Sequence, residues 1–181
     1  MMQRRRSALL GALITLWTTM GVANAPPAEL RHALEAVTLA GSTLFRYWGL
    51  AVYNARLWVA PGFKPDTYER HAFALELTYL RDFSNADITR RSIDEMRRLG
   101  ASAAQLQSWQ SLLHQAFPDV RKGDRLTGLH QPGAGTTFIT NGHKTGATTD
   151  PDFGRLFFGI WLSVQTSEPQ MRQALLAQTA P

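Results

Sequence analysis

The histidines of this sequence are not spaced for metal binding. None of the five stands in an H-x-x-x-H or H-E-x-x-H pattern, which would place two ring nitrogens on one face of a helix. They are His32, His71, His114, His130 and His143. We expect them at surfaces or interfaces, and we predict no metal site.

Motifs for nucleophilic attack and phosphate binding do not occur in the sequence. The chain has no cysteine, which excludes a thiol nucleophile, a cysteine-based metal site and disulfide bonds. It also has no G-x-S-x-G motif and no P-loop, and the glycines on either side of Ala134 favour a tight turn over a phosphate cradle. We predict no cofactor.

Two pairs of aspartates could be drawn as catalytic carboxylate pairs. Asp119 lies near Asp124 in the sequence, and Asp150 lies near Asp152. Each pair stands where a helix start or a turn is expected, so we favour capping and turn roles over acid and base chemistry.

Arginines and tryptophans could bind anions and aromatic groups. Some arginines share one predicted helix and could face anionic lipid or a partner, although a solvated outer face is the simpler interpretation. They are Arg90, Arg91, Arg97 and Arg98. The tryptophans could stack on an aromatic ligand, but packing between sheet and helices explains most of them equally well. They are Trp48, Trp58, Trp109 and Trp161.

The elements that position these residues begin with strands. From Leu39 to Val59 the sequence is rich in aromatic and β-branched residues, has turn signals at Gly41 and Gly49, and fits no helical period. Alternate residues from Ala51 to Val59 should share one face of a strand. The stretch from Ala72 to Leu80 alternates as a further strand.

A pair of helices follows these strands. Ser84, with Asp87 three residues later, predicts a helix N-terminus, and the apolar stripe of this helix stops at Gly100. A second helical stripe begins at about Ala103 and ends before Pro118.

The last third of the chain predicts a β-meander and two helices. Strands from Leu126 to His130 and from Thr136 to Thr140 precede Asn141-Gly142, a strong two-residue hairpin signal. Asp150-Pro151 predicts the start of one helix, and Ser167-Glu168-Pro169 the start of another. This order of elements predicts an α+β fold with a large, mostly antiparallel sheet packed against a layer of helices.

Residues 1–25 have the three parts of an export signal. Arg4 to Arg6 supply a positive start, Ala8 to Met20 form an apolar run of about 13 residues, and Ala23-Asn24-Ala25 fits a signal peptidase site. The run is too short to span a bilayer. Since a proline follows Ala25, cleavage after Ala23 stays open. We expect a periplasmic or secreted protein with one domain over residues 26–181.

Removing this segment changes the charge of the protein. It carries 3 of the 19 basic residues and none of the 14 acidic ones, so 16 basic and 14 acidic residues remain. This balance gives no case for nucleic acid, whose binding proteins concentrate positive charge on one face.

Several stretches together resemble the bacterial chalcone isomerase-like proteins. They are Gly41 to Arg46 with Val52 to Trp58, Leu75 to Phe83, Phe117 to Val120 with Gly123-Asp124, Phe138 to Gly142, and Asp150 to Leu162. Their order and spacing cover nearly the whole chain after residue 25. The resemblance implies an open-faced β-sandwich, in which a ligand cleft lies between a large antiparallel sheet and a layer of helices.

The resemblance also suggests site residues. In the plant enzymes of this fold, an arginine after a glycine-rich turn holds a substrate oxyanion, and hydroxyl groups polarise a carbonyl. Arg46 is the best match to that arginine, and Tyr53 or Tyr79 could supply a hydroxyl. Arg56 and Arg81 are further candidates for ligand binding. Alternatively, Arg46 is an edge arginine that pairs with a nearby carboxylate.

Three functions remain open at this point. We favour an exported, noncatalytic protein that binds a small apolar or carboxylate ligand such as a fatty acid, because some members of this fold bind fatty acids. The second hypothesis is a chalcone isomerase-type intramolecular lyase that uses Arg46. Export weighs against it, since the plant reaction is intracellular. The third is a module that interacts with a protein or a membrane surface.

Overall fold

The computed structural model describes residues 25–179. The predicted export signal, apart from Ala25, therefore lies outside the described residues, as does the alternative cleavage position after Ala23. Between residues 25 and 179, no helix is long and apolar enough to cross a membrane.

Six strands form a single sheet in which neighbours along the chain are also neighbours in space. They are β1 (Thr38–Tyr47), β2 (Leu50–Val59), β3 (Phe73–Tyr79), β4 (Arg125–Gln131), β5 (Gly135–Thr140) and β6 (His143–Thr148). All the neighbouring pairs are antiparallel. The predicted α+β fold with a large antiparallel sheet is confirmed.

Helices cover both faces of this sheet. They are α1 (Ala28–Ala33), α2 (Asn85–Arg98), α3 (Ala103–Ala116), α4 (Pro151–Leu162) and α5 (Pro169–Leu175), with a 3₁₀ helix at Pro65–Arg70. The last four α-helices match the predicted ones. The sequence did not predict α1 or the 3₁₀ helix, because six residues are too few to show a helical period.

The two faces of the sheet carry separate cores. We call the face toward α2, α4 and α5 the inner face and the face toward α1 the outer face. On β2, Ala55 and Leu57 belong to the inner core, whereas Trp58 packs with Leu30 of α1 in the outer core. From Ala55 to Trp58 this alternation is the one predicted for the strand. Nearer the turn, the register with β1 shifts between Phe45 and Arg46 and the alternation is interrupted.

The capping and turn residues predicted at Ser84, Asp150 and Asn141-Gly142 act as expected, whereas Glu168 at the start of α5 makes no side-chain capping hydrogen bond. The Ser84 side chain accepts a hydrogen bond from the Asp87 backbone N–H, and the Asp150 side chain caps the start of α4. Asn141 and Gly142 have φ values of 49° and 85° in the two-residue turn between β5 and β6. Each of these signals depends on contacts between residues that are close in sequence.

The turn predicted at Gly41 is wrong, because Gly41 lies inside β1. A Cβ atom at this position would stand 2.2 Å from the carbonyl oxygen of Ala174. The end of α5 thus crosses the strand at a distance that leaves no room for a side chain. Gly49 does lie in the turn between β1 and β2, as predicted.

Candidate functional site

A cleft of about 520 Å³ lies between the inner face of the sheet and the helices α2, α4 and α5. The buried side chains of Leu77, Tyr79 and Leu126 line it from the sheet, and those of Phe157 and Trp161 line it from α4. Its volume falls within the range of small-molecule sites, which are mostly apolar with a few polar groups.

The mouth of the cleft is polar and exposed. Arg90, Arg91 and Asp94 of α2 line it and reach solvent, and Tyr47 of β1, which also lines it, is 51% exposed. The cleft therefore changes from apolar and buried within the protein to charged at its opening. This profile suits an amphiphile with one polar end.

Tyr53 places a hydroxyl group inside the cleft. Its oxygen accepts a hydrogen bond from Trp161 Nε1 at 3.1 Å and lies 4.0 Å from Met171 Sδ, so contacts with α4 and α5 fix the ring. Burial raises the pKa of Tyr53, and the hydrogen bond from Trp161 opposes this shift only in part. The phenol therefore stays protonated near neutral pH.

Tyr79 stands beside Tyr53 on the neighbouring strand. The two residues are partners in the register of β2 and β3, and their ring centroids are 5.9 Å apart in an edge-to-face arrangement. Burial raises the pKa of Tyr79, and its hydroxyl forms no hydrogen bond within residues 25–179. The fold thus brings both candidate tyrosines to the cleft, and the hydroxyl of Tyr79 is available to a ligand.

Arg91 lines the cleft beside Tyr47. Its Nη2 lies 2.7 Å from Glu95 Oε1, and its guanidinium carbon lies 5.8 Å from the centre of the Tyr47 ring. The Glu95 side chain is only 8% exposed and has further partners, Arg98 Nε at 2.9 Å and Ser167 Oγ at 3.1 Å. Because Glu95 keeps these two partners, Arg91 can turn to an anionic ligand without leaving a buried carboxylate unpaired.

The arginine predicted from the family resemblance does not line the cleft. Arg46 is exposed near the end of β1, where its Nη1 donates a hydrogen bond to the Gly49 carbonyl oxygen at 3.3 Å. Phe45 and Tyr47 on either side of it line the cleft. Arg46 is not among the lining residues, and the register of β1 with β2 shifts between Phe45 and Arg46. We correct the assignment of the cleft arginine from Arg46 to Arg91.

The other two predicted arginines also lie outside the cleft. Arg56 is on the outer face, where its Nη1 lies 3.6 Å from Glu76 Oε1. Arg81 is exposed just beyond the end of β3. Arg56 alternates with the inward Ala55 and Leu57, which explains its position.

Sequence reasoning missed Arg91 because it treated the arginines of α2 as one solvated face. The available signal was spacing, since Arg91 and Glu95 are four residues apart and border the apolar stripe that includes Ile88. Arg97, by contrast, pairs with the exposed Asp94 at 2.5 Å and does not line the cleft.

The titratable groups of the cleft are tyrosines and carboxylates. Burial keeps Tyr53 and Tyr79 protonated near neutral pH. Two of the carboxylates at the mouth are engaged with arginines, whereas Glu168, which also lines the cleft, forms no ion pair within residues 25–179. Asp87 lies 2.6 Å from Arg90, and Asp94 lies 2.5 Å from Arg97. Across residues 25–179, no three histidine, aspartate or glutamate side chains come together as a metal-binding group.

His130 departs from the expectation of exposed histidines. It is buried, with its ring 5.2 Å from that of Phe73 and its Nε2 donating to the Glu69 carbonyl oxygen at 2.9 Å. Burial lowers the pKa of His130, so the neutral ring is a packed core residue. The burial of His130 could have been expected from its position in the predicted strand from Leu126 to His130.

Comparison with known proteins gives one family and one fold. A model of the chalcone isomerase-like family matches residues 21–177. None of the curated protein sequences compared with the chain matches it. Among solved structures, the chain is similar to a fatty-acid binding protein of Arabidopsis thaliana, with 13% sequence identity and a TM-score of 0.62 over 78% of this chain and 87% of that one. This likeness confirms the predicted open-faced β-sandwich.

Proposed function

The chain belongs to the chalcone isomerase-like family, and we propose that it is a noncatalytic protein that binds a small apolar molecule with a carboxylate end, such as a fatty acid. The observation that carries the proposal is the combination of an apolar cleft with an arginine at its mouth. The similarity in fold to a fatty-acid binding protein supports it.

The interior of the cleft favours a hydrocarbon chain. Phe83, Leu126 and Phe157 line it, and each methylene group that they remove from water contributes about 0.8 kcal/mol. Met171 also lines the cleft, and its flexible thioether can adjust to chains of different shape. The interior thus supplies affinity with little selection of chain length.

The mouth of the cleft favours an anionic end group. A carboxylate at Arg91 accepts two parallel hydrogen bonds from the guanidinium group, a geometry that a lysine would not provide. Glu95 stays paired with Arg98 and bound by Ser167 while Arg91 holds the ligand. We therefore assign Arg91 as the anchor of the ligand.

The isomerase hypothesis receives no such support. It required Arg46 in the cleft, within reach of a substrate oxyanion, whereas Arg46 lies on the exposed hairpin. The binding hypothesis, in the form first stated, also used Arg46, and our proposal replaces it with Arg91. We retain export as part of the proposal, so that the protein would meet its ligand in the periplasm or outside the cell.

Native purification tests the proposal directly. The purified protein is extracted with organic solvent, and the extract is analysed by mass spectrometry. We expect a fatty acid or a related amphiphile in stoichiometric amount. In parallel, palmitate at about a hundred times its dissociation constant should stabilise the protein by about 2.7 kcal/mol.

A pair of arginine variants tests the anchor. Arg91→Gln should abolish most of the palmitate-induced rise in melting temperature, whereas Arg97→Gln should leave it unchanged. Arg97 is a matched control because it lies on the same helix, is 58% exposed against 53% for Arg91, and also pairs with an acid. Equal responses of the two variants, or an empty extract together with no thermal shift, would contradict the proposal.

A further inference from the structure

The hairpin of β1 and β2 ends in an exposed apolar segment, residues 44–52, which we call the hairpin tip. Of the five large hydrophobic side chains that are exposed in residues 25–179, four belong to it. They are Leu44 at 38%, Tyr47 at 51%, Leu50 at 56% and Trp48 at 89%. Single exposed apolar residues are ordinary, but a group of them on one hairpin marks an interaction surface.

The hairpin tip projects beyond the neighbouring strand. Tyr53 pairs with Tyr79, the last residue of β3, so the segment from Leu50 to Val52 extends about 10 Å past that pair, at about 3.3 Å per residue. Val52 receives one further hydrogen bond from Leu80. Trp48 and Leu50 at the end of the tip therefore stand in solvent, whereas Tyr47 also contacts the mouth of the cleft.

Turn geometry does not explain the tryptophan at the tip. Trp48 and Gly49 have φ values of 49° and 79° in a two-residue turn closed by the pair of Tyr47 and Leu50. Asparagine and glycine suit such a turn, whereas a positive φ is unfavourable for a bulky aromatic residue. Backbone strain of this kind clusters at functional positions.

We propose that the hairpin tip docks the protein on a bilayer surface that contains anionic lipid. Tryptophan and tyrosine partition into the interface between headgroups and acyl chains, as do leucines on the same surface. Arg46 is the only charged residue among residues 44–52, so the tip is positive and has no acidic residue to repel anionic headgroups. Its alkyl stem can lie along the apolar surface while the guanidinium group stays among the headgroups.

Docking at the tip brings the mouth of the cleft to the membrane. Tyr47 belongs to the tip and lines the cleft, and Arg91 lies over its ring at 5.8 Å. An amphiphile can therefore pass between bilayer and cleft with little exposure to water, a consequence that rests on the proposed function. Docking itself does not depend on it.

Cosedimentation with vesicles tests docking. The vesicles contain phosphatidylcholine and phosphatidylglycerol in equal parts, and vesicles of phosphatidylcholine alone are the comparison. We expect binding to the mixed vesicles, and an about tenfold weaker partition coefficient for Trp48→Asn, because the buried indole area is lost. Arg46→Gln should weaken binding to the mixed vesicles only.

The Trp48→Asn variant also separates docking from folding. Asparagine favours the turn, so its melting temperature should rise while vesicle binding falls, and misfolding cannot produce that combination. Val164→Asn is the control, since Val164 is 76% exposed and lies outside both tip and cleft. It should bind vesicles as the wild type does.

Equal vesicle binding by wild type and Trp48→Asn, no binding by either, or a dimer in solution that Trp48→Asn dissociates would overturn the inference. Palmitate binding is measured on the same samples in the absence of vesicles. If palmitate does not bind but vesicle docking persists and depends on Trp48, the proposed function fails while docking stands.

Discussion

At Glu76, burial and attraction to nearby arginines oppose each other. The residue is 2% exposed on the outer face, its Oε1 lies 3.6 Å from Arg56 Nη1, and its Oε2 lies 3.9 Å from Arg125 Nε. Neither distance is that of a hydrogen bond, and Oε2 has no hydrogen-bond partner among the described residues. Burial therefore raises the pKa of Glu76 above 4.5, although Arg125 and Arg56 oppose the shift.

This shift predicts how Glu76 affects stability as a function of pH. Because the pKa is raised in the folded state, the contribution of the carboxyl group is fully present below its ordinary pKa of 4.5 and is lost as the pH rises through the folded value. Because glutamine does not titrate, the Glu76→Gln variant does not lose this contribution to stability as the pH rises. We expect the free energy of unfolding of the variant, measured in urea, to rise relative to that of the wild type from about pH 4 to about pH 7.

A second carboxyl group supplies a control of opposite sign. The backbone N–H of Arg121 and the side chain of Asn141 donate hydrogen bonds to Asp124 and lower its pKa below 3.8. Its contribution to stability is present above 3.8 and is lost as the pH falls through the folded value. Asp124→Asn should therefore lose stability relative to the wild type as the pH rises. If the difference in the free energy of unfolding between Glu76→Gln and the wild type does not change with pH, our interpretation of Glu76 is wrong.

At the scale of elements, local chemistry made much of the fold predictable. The helix that starts after Ser84, the one that starts after Asp150 and the turn at Asn141-Gly142 each have their signal within about four residues of sequence. The alternation of β2 was equally readable, since a strand with one face in the core repeats every second residue. From these features the sequence predicted an α+β fold in which a sheet packs against a layer of helices.

The site was less predictable, because contacts distant in sequence decide which side chains reach it. Tyr53 and Tyr79 meet through the register of β2 and β3, and both were among the candidates. Arg91 reaches the cleft because α2 packs against α3 and α4, which places α2 across the cleft from the sheet. Gly41 was predicted to lie in a turn because glycine is common in turns. The glycine is instead needed inside β1 because the backbone at Ala174, more than a hundred residues away in sequence, approaches it closely.

The start of α4 joins a helix cap to the packing of another helix. The Asp150 side chain accepts hydrogen bonds from the first amides of α4, and its Oδ2 accepts a hydrogen bond from Trp109 Nε1 of α3 at 2.9 Å. Asp150→Ala removes the cap, about 1 kcal/mol, and leaves a buried N–H unpaired, about 1–3 kcal/mol. We expect a loss of about 2–4 kcal/mol in the free energy of unfolding, measured in urea.

Asp150→Ser divides these two contributions. The serine hydroxyl can still cap α4, but it is too short to reach Trp109, so this variant should lose only the part due to the unpaired indole N–H. A serine variant as stable as the wild type would show that the link between α3 and α4 contributes nothing.

At the scale of the whole molecule, the sheet separates two layers with different roles. On the inner face, α2, α4 and α5 surround the cleft. On the outer face, α1 covers a small core in which Leu30 packs with Trp58 and Leu129. Glu29 of α1 adds an ion pair with Arg125 at the edge of this core. The outer layer therefore supports the sheet without contacting the cleft.

Truncation of one leucine on each side of the sheet tests this separation. Leu30 and Leu175 are both fully buried, the first in α1 and the second in α5, so replacing either by alanine should cost about 2–5 kcal/mol. Leu30→Ala should expose Trp58 and shift its fluorescence to longer wavelength, while the affinity for palmitate stays that of the wild type. Leu175→Ala should weaken palmitate binding, because α5 also carries Met171 and borders the cleft. If both variants lose affinity equally at a temperature where both are folded, the two faces are coupled and the separation of roles is wrong.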